Sequence, residues 1–66
     1  MKTGMVKSWN RQRGFGFIVS DDEEYFVNIN DVHITLKNTG LKEGQRVTFN
    51  VKSDMKGDRA VNVKAG

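Results

Sequence analysis

From Arg13 to Ile18 the chain reads Arg-Gly-Phe-Gly-Phe-Ile, and a little farther on it reads Tyr25-Phe26-Val27-Asn28-Ile29. Side chains alternate between the two faces of a strand. With Gly16 and Ile18 inward, Phe15 and Phe17 point outward; with Val27 inward, Tyr25 follows it and Phe26 and Asn28 turn outward. The inverted register would bury both phenylalanines, as strand phenylalanines usually are. It would also turn Gly14 and Gly16 outward, where they add nothing, and leave Ile18 in water. The outward register accounts for the whole segment. If the two strands pair antiparallel, Phe15, Phe17 and Phe26 share one external face flanked by Lys7 and Arg13. Rings bordered by cations can stack bases and hold phosphates, the chemistry that single-stranded nucleic acid requires. At about 1 to 3 kcal/mol per stacked base, three rings suffice for micromolar binding after the ordering cost. An exposed apolar patch also suits a protein partner, so a protein-interaction or structural module with little nucleic-acid affinity is the alternative.

A sheet must carry such a face, and the periodicity is that of strands. Residues 46–52 alternate Arg, Val, Thr, Phe, Asn, Val, Lys, which places Val47, Phe49 and Val51 on one side. Val61 and Val63 repeat the pattern in residues 61–63, after a turn that contains Gly57. Three further strands are predicted over residues 2–10, 14–20 and 24–29, joined by residues 10–13 and by an acidic loop, both short enough for hairpins. Asn30 and Asp31 are predicted to cap one short helical turn before a polar loop that contains His33 and Asn38. Residues 41–44 read as a loop. Five short strands without a useful amphipathic helix predict an all-β fold, a five-stranded antiparallel barrel whose closure removes exposed edges.

Composition narrows the class. Sixty-six residues make one small domain, expected to span residues 1–66, and the absence of cysteine excludes disulfide scaffolds and zinc ribbons. No apolar run exceeds three residues and no signal-peptide core is legible, so a cytoplasmic protein with no membrane partner is expected. Eleven Lys and Arg face eight acids, but four of the acids are consecutive, Asp21 to Glu24. The rest of the surface is therefore basic, which suits an anionic partner. His33 is the only histidine and has no partnered nucleophile or ligand cluster in the sequence. Gly14-x-Gly16 lacks the third glycine of a dinucleotide loop, and the acidic run lacks the calcium-loop pattern. No catalytic group, metal, cofactor or small-molecule substrate is expected. A monomer is expected, with a dimer or strand swap as the other possibility.

Arg13 to Phe17 also fit the opening of the first ribonucleoprotein motif, with Ile18 in place of Val and Ser20 in place of the closing aromatic. The RNA-recognition-motif fold needs two helices, for which this chain has no segment. The chain instead resembles a bacterial cold-shock protein almost end to end. The resemblance is carried by Thr3-Gly4-Met5-Val6-Lys7, Trp9-Asn10, Gly14 to Ile18, Phe26-Val27, Glu43-Gly44-Gln45, Val47, Phe49, Ala60 and Asn62-Val63, in order and spacing. It implies a single cold-shock domain, an OB-fold barrel that binds single-stranded RNA and DNA with low selectivity. Such proteins are described as RNA chaperones and transcription antiterminators that melt secondary structure without ATP.

Carried onto this sequence, the resemblance implies stacking by Phe15, Phe17 and Phe26 and a nucleic-acid-binding set that includes Lys7, Trp9, Asn10, Arg13 and Asn28. Lys56 and Arg59 are placed in a loop beside the platform. The family's usual Lys-Trp-Phe-Asn is here Lys7-Ser8-Trp9-Asn10, so the stacking tryptophan is Ser8. Its Val-Phe-Val-His-Phe is here Tyr25 to Ile29, and the aromatic of the long loop falls on Asn38. Asn28 offers hydrogen bonds to base edges, and Trp9 would reach the platform if a bulge turned it outward. Glu24 matches an acidic position near bound bases and would accept from a base amino group. With about three rings missing, binding weaker than in typical members is expected.

Overall fold

A computed structural model describes residues 1–55 and 57–66. Its five strands are β1 (Lys2–Asn10), β2 (Phe15–Ser20), β3 (Glu23–Asn28), β4 (Arg46–Asp54) and β5 (Gly57–Ala65). They close into a barrel in the order β1-β2-β3-β5-β4. Four of the five pairings are antiparallel as expected; β3 and β5 run parallel, Phe26 facing Arg59 and Val27 facing Ala60. The barrel is therefore mixed and not wholly antiparallel. Hairpins can join only antiparallel neighbours, so the seam that closes the barrel falls between strands separated by the long connection after β3.

The interior is built from the inward residues of every strand: Val6, Ile18, Tyr25, Val27, Val47, Phe49, Ala60 and Val63, all buried. Val32 and Leu41, from the connection between β3 and β4, complete this core. Loop residues thus supply core volume that strand periodicity alone does not reveal. At Gly16 a Cβ would overlap the Ser8 carbonyl oxygen and lie 2.9 Å from Trp9 Cε3. The bare backbone is what lets β1 cross β2 so closely.

Bulges account for most departures from simple alternation. One extra residue on β1, Lys7, separates the pairs Val6–Ile18 and Ser8–Phe17. A second on β5 shifts the register between Thr48 and Asn50, where Asn62 takes a left-handed φ of 54°. Asn tolerates that region better than most side chains. It puts Ala60 and Val63 inside and leaves Val61 half-buried, in contrast to the Val61 and Val63 face expected from the sequence. Val51, expected inside, is 37% exposed. The β1 pairing with β4 ends at Lys2–Phe49, so beyond that point, among the described residues, β4 pairs with β5 alone.

The connections are tighter than the sequence implied. Asp21 and Asp22, both at positive φ, form the two-residue turn between β2 and β3, and Glu23 and Glu24 already belong to β3. A 3₁₀ turn, Ile29–Asp31, and one helical turn, α1 (Ile34–Lys37), follow β3. Asn28 and His33 supply their capping acceptors, in place of Asn30 and Asp31. Asn and His accept here from a backbone N–H two residues ahead, at 3.0 and 3.2 Å.

Tyr25 packs on Phe49 with ring centroids 5.3 Å apart and donates its hydroxyl to Glu23 Oε2 at 2.8 Å. That hydrogen bond first, then burial, then the nearby carboxylates of Glu23, Asp58 and Asp21, push its pKa above the usual tyrosine value. The folded state holds the phenol proton more tightly than the unfolded chain. This contribution is complete below the unfolded pKa and is lost as pH rises through the folded value. Denaturant melts at rising alkaline pH should show a stability loss that Tyr25→Phe reduces. Phenolate absorbance of this single tyrosine should titrate later in the folded protein than in denaturant; coincident titrations would contradict the placement.

Candidate nucleic-acid interface

The site is a cross-strand row. Ser8 faces Phe17 across β1 and β2, Phe17 faces Phe26 across β2 and β3, Phe26 faces Arg59 across β3 and β5, and Arg59 faces Lys52 on β4. Directly paired residues share a face, so the row runs around the outside of the barrel. A second, shorter row sets Asn10 beside Phe15 and Phe15 beside Asn28. Phe17 is 38% exposed, while Phe15 and Phe26 are half-buried because the rings lean on one another. The Phe26 centroid lies 5.9 Å from that of Phe15 and 5.9 Å from that of Phe17, the latter edge to face.

Cations border the rings. The Arg13 guanidinium lies 5.9 Å from the Phe15 centroid, and Asn10 Oδ1 accepts from the backbone N–H of Gln12 and Arg13, each at 3.1 Å. Asn10 therefore shapes the turn that presents Arg13. Lys7, exposed in its bulge, pairs with Glu24 at 2.7 Å. Both Glu24 carboxylate and Lys7 ammonium are thus engaged with each other. Asn28 uses Oδ1 for its cap, which leaves its amide N–H groups to donate. Beside Phe17 and Phe26 opens a recess of about 630 Å³ that Met55 and Arg59 also line. Lys56 lies outside the described residues.

Trp9 is not brought to this face. β1 does carry a bulge, but it sits at Lys7, and Trp9 pairs with Gly16 on the inner side. The indole packs against the core and lies over Gly40, whose added Cβ would stand 3.0 Å from Trp9 Nε1. There it lines a second recess of about 400 Å³ with Arg11, Arg13, Lys37 and Asn38. Sequence reasoning missed the carboxylates around Arg59: Asp31 Oδ2 is 3.4 Å from Nε and Asp54 Oδ2 is 3.6 Å from Nη1. Asp31 comes from the connection after β3 and Asp54 from the end of β4, so no spacing in the chain marks them. Among the described residues no group of acidic and His side chains is arranged to hold a metal, and no helix is long and apolar enough to cross a membrane.

A closed five-stranded barrel with outward aromatic side chains on two neighbouring strands, bordered by cations from the strands and turn beside them, defines an OB-type nucleic-acid-binding protein. The family profile described as the 'Cold-shock' DNA-binding domain matches residues 2–65. The chain is 42% identical over 65 residues to the cold shock-like protein CspG of Shewanella violacea, an overlap covering 96% of this chain and 91% of that protein. It is 43% identical over 63 residues to the cold shock-like protein CspB of Escherichia coli, covering 92% and 87% of the two chains. A cold shock-like protein of Aquifex aeolicus is 40% identical over 63 residues, covering 92% and 89%. The chain belongs to the cold-shock domain family, and nucleic-acid binding with an RNA-chaperone role is the function that membership carries.

Proposed function

We propose that this chain is a cytoplasmic single-domain protein that binds single-stranded RNA and DNA with low sequence selectivity through Phe15, Phe17 and Phe26. The observation that supports this reading is the meeting of the three rings on one outer face, with Arg13 against Phe15. Unpaired bases stack on ring faces, which every base can do, while Arg13 and Lys7 attract the backbone. A duplex keeps its bases stacked on one another and offers nothing to the rings. Binding only the open strand stabilises it by mass action, so hairpins shift toward the unpaired form without ATP and without a catalytic group.

Ser8 stands opposite Phe17 on the outer face, where the cold-shock resemblance implies a tryptophan. The platform is one ring short at that point. A hairpin with a fluorophore and quencher on its ends should open when the protein is added without ATP. Ser8→Trp should open it at lower concentration, because one more stacked base is worth about 1 to 3 kcal/mol, roughly five- to 150-fold in affinity. A hairpin that stays closed while single strands bind would remove the chaperone step. A Ser8→Trp variant no tighter than the parent would place the strand elsewhere.

A further inference from the structure

Arg59 occupies an unusual position for a cation that is to meet phosphate. It stands next to Phe26 in the outer row and lines the same recess as Phe17 and Phe26. Its side chain is only 34% exposed, and Nε is buried without a hydrogen-bond partner. Asp31, from the 3₁₀ turn, contacts Nε, and Asp54, near the end of β4, contacts Nη1. Asp58 lines the recess as well, and Lys52 is the register partner of Arg59 on β4. A phosphate brought to this guanidinium would meet the carboxylates of Asp31, Asp54 and Asp58. A neutral base would not. The recess walls offered by Phe17, Phe26 and Met55 are apolar, which favours a base over a phosphate for the same reason.

A guanidinium is a delocalised plane, weakly hydrated, and it stacks on aromatic faces where an ammonium does not. Two ion pairs, Nε to Asp31 and Nη1 to Asp54, restrict its rotation, so little ordering is left to be lost on binding. We propose that Arg59 is the fourth stacking surface of the platform, taking a nucleobase into the recess beside Phe26. Asp31 and Asp54 act as positioning residues that hold its plane. The inference rests on the single-strand reading above and assigns Arg59 a stacking role in place of the phosphate contact expected from its charge.

The test measures anisotropy of a labelled single strand of about seven nucleotides with the parent, Arg59→Lys, Arg59→Ala and Asp31→Asn, at low and moderate salt, with a melt of each variant. Arg59→Lys keeps the charge and can keep both ion pairs, so it decides the matter even if Arg59→Ala does not fold. Stacking predicts that Lys loses affinity nearly as much as Ala, by roughly fivefold or more, with the salt dependence unchanged. It also predicts that Asp31→Asn weakens binding, although removing a negative charge from a protein that binds a polyanion should strengthen it. Full rescue by Lys, together with a salt slope smaller by about 0.7 in Arg59→Ala, would make Arg59 a phosphate ligand and overturn the proposal. Tighter binding by Asp31→Asn, or parental affinity in both Arg59 variants, would overturn it too. Failure of the underlying reading shows separately, as a parent protein that does not bind single strands.

Discussion

Phe15→Ala combined with Phe17→Ala should reduce single-strand affinity by about 30-fold or more while leaving the fold in place. Each ring offers one stacked base worth about 1 to 3 kcal/mol, and tenfold in affinity corresponds to about 1.4 kcal/mol. The two losses need not add, because both rings lean on Phe26, 5.9 Å from each centroid. Removing them leaves Phe26 without its lateral support, so the platform loses shape as well as area. Stability should change little, since the inward residues of β2, Gly16 and Ile18, are untouched and buried. Anisotropy with a labelled strand, beside a melt of the same preparation, checks both halves. A folded double variant with parental affinity would remove the rings from the interface.

The second large effect is on folding. Phe49 is fully buried, the bulkiest of the completely enclosed side chains, and its ring packs on Tyr25. Its Cε1 also stands 3.0 Å from where a Cβ on Gly4 would be, so it fills the space against β1 directly. Replacing such a phenylalanine by alanine costs about 3 to 5 kcal/mol in lost transfer and residual cavity. Sixty-six residues at about 0.05 to 0.15 kcal/mol each have a total stability of the same order. Phe49→Ala should therefore be largely unfolded at room temperature, with circular dichroism lacking a cooperative melt. Phe49→Leu should keep the fold with a lower midpoint. A cooperative Phe49→Ala melt near that of the parent would mean that the core is less dependent on this ring than its burial implies.

Much of this architecture can be read from period-two alternation. Gly16, Ile18, Tyr25 and Val27 point inward, and Phe15, Phe17 and Phe26 outward, because a strand has only two faces and glycine has no use on the outer one. What alternation cannot express is a change of phase. The bulges at Lys7 and Asn62 each add one residue, and everything beyond them changes face. That is why Trp9 lies inward beside Gly16 and why Ala60 shares the core with Val63. The parallel seam between β3 and β5 is likewise invisible to local pattern, since it joins strands that are distant in the chain. The same holds for the two aspartates around Arg59. Val32 and Leu41 read as loop residues because their segment has no regular period; their burial follows from where the connection crosses the barrel.

The most direct test of the account is one titration. Labelled strands of about seven thymidines or adenosines, and a duplex of matched sequence, are titrated with the protein at about 50 and 200 mM salt and followed by anisotropy. Both single strands should bind more tightly than the duplex, and binding should weaken with salt by a slope of about −0.7 per phosphate contacted. A folded protein that binds the duplex as tightly as the single strands, or binds neither, would contradict the stacking platform.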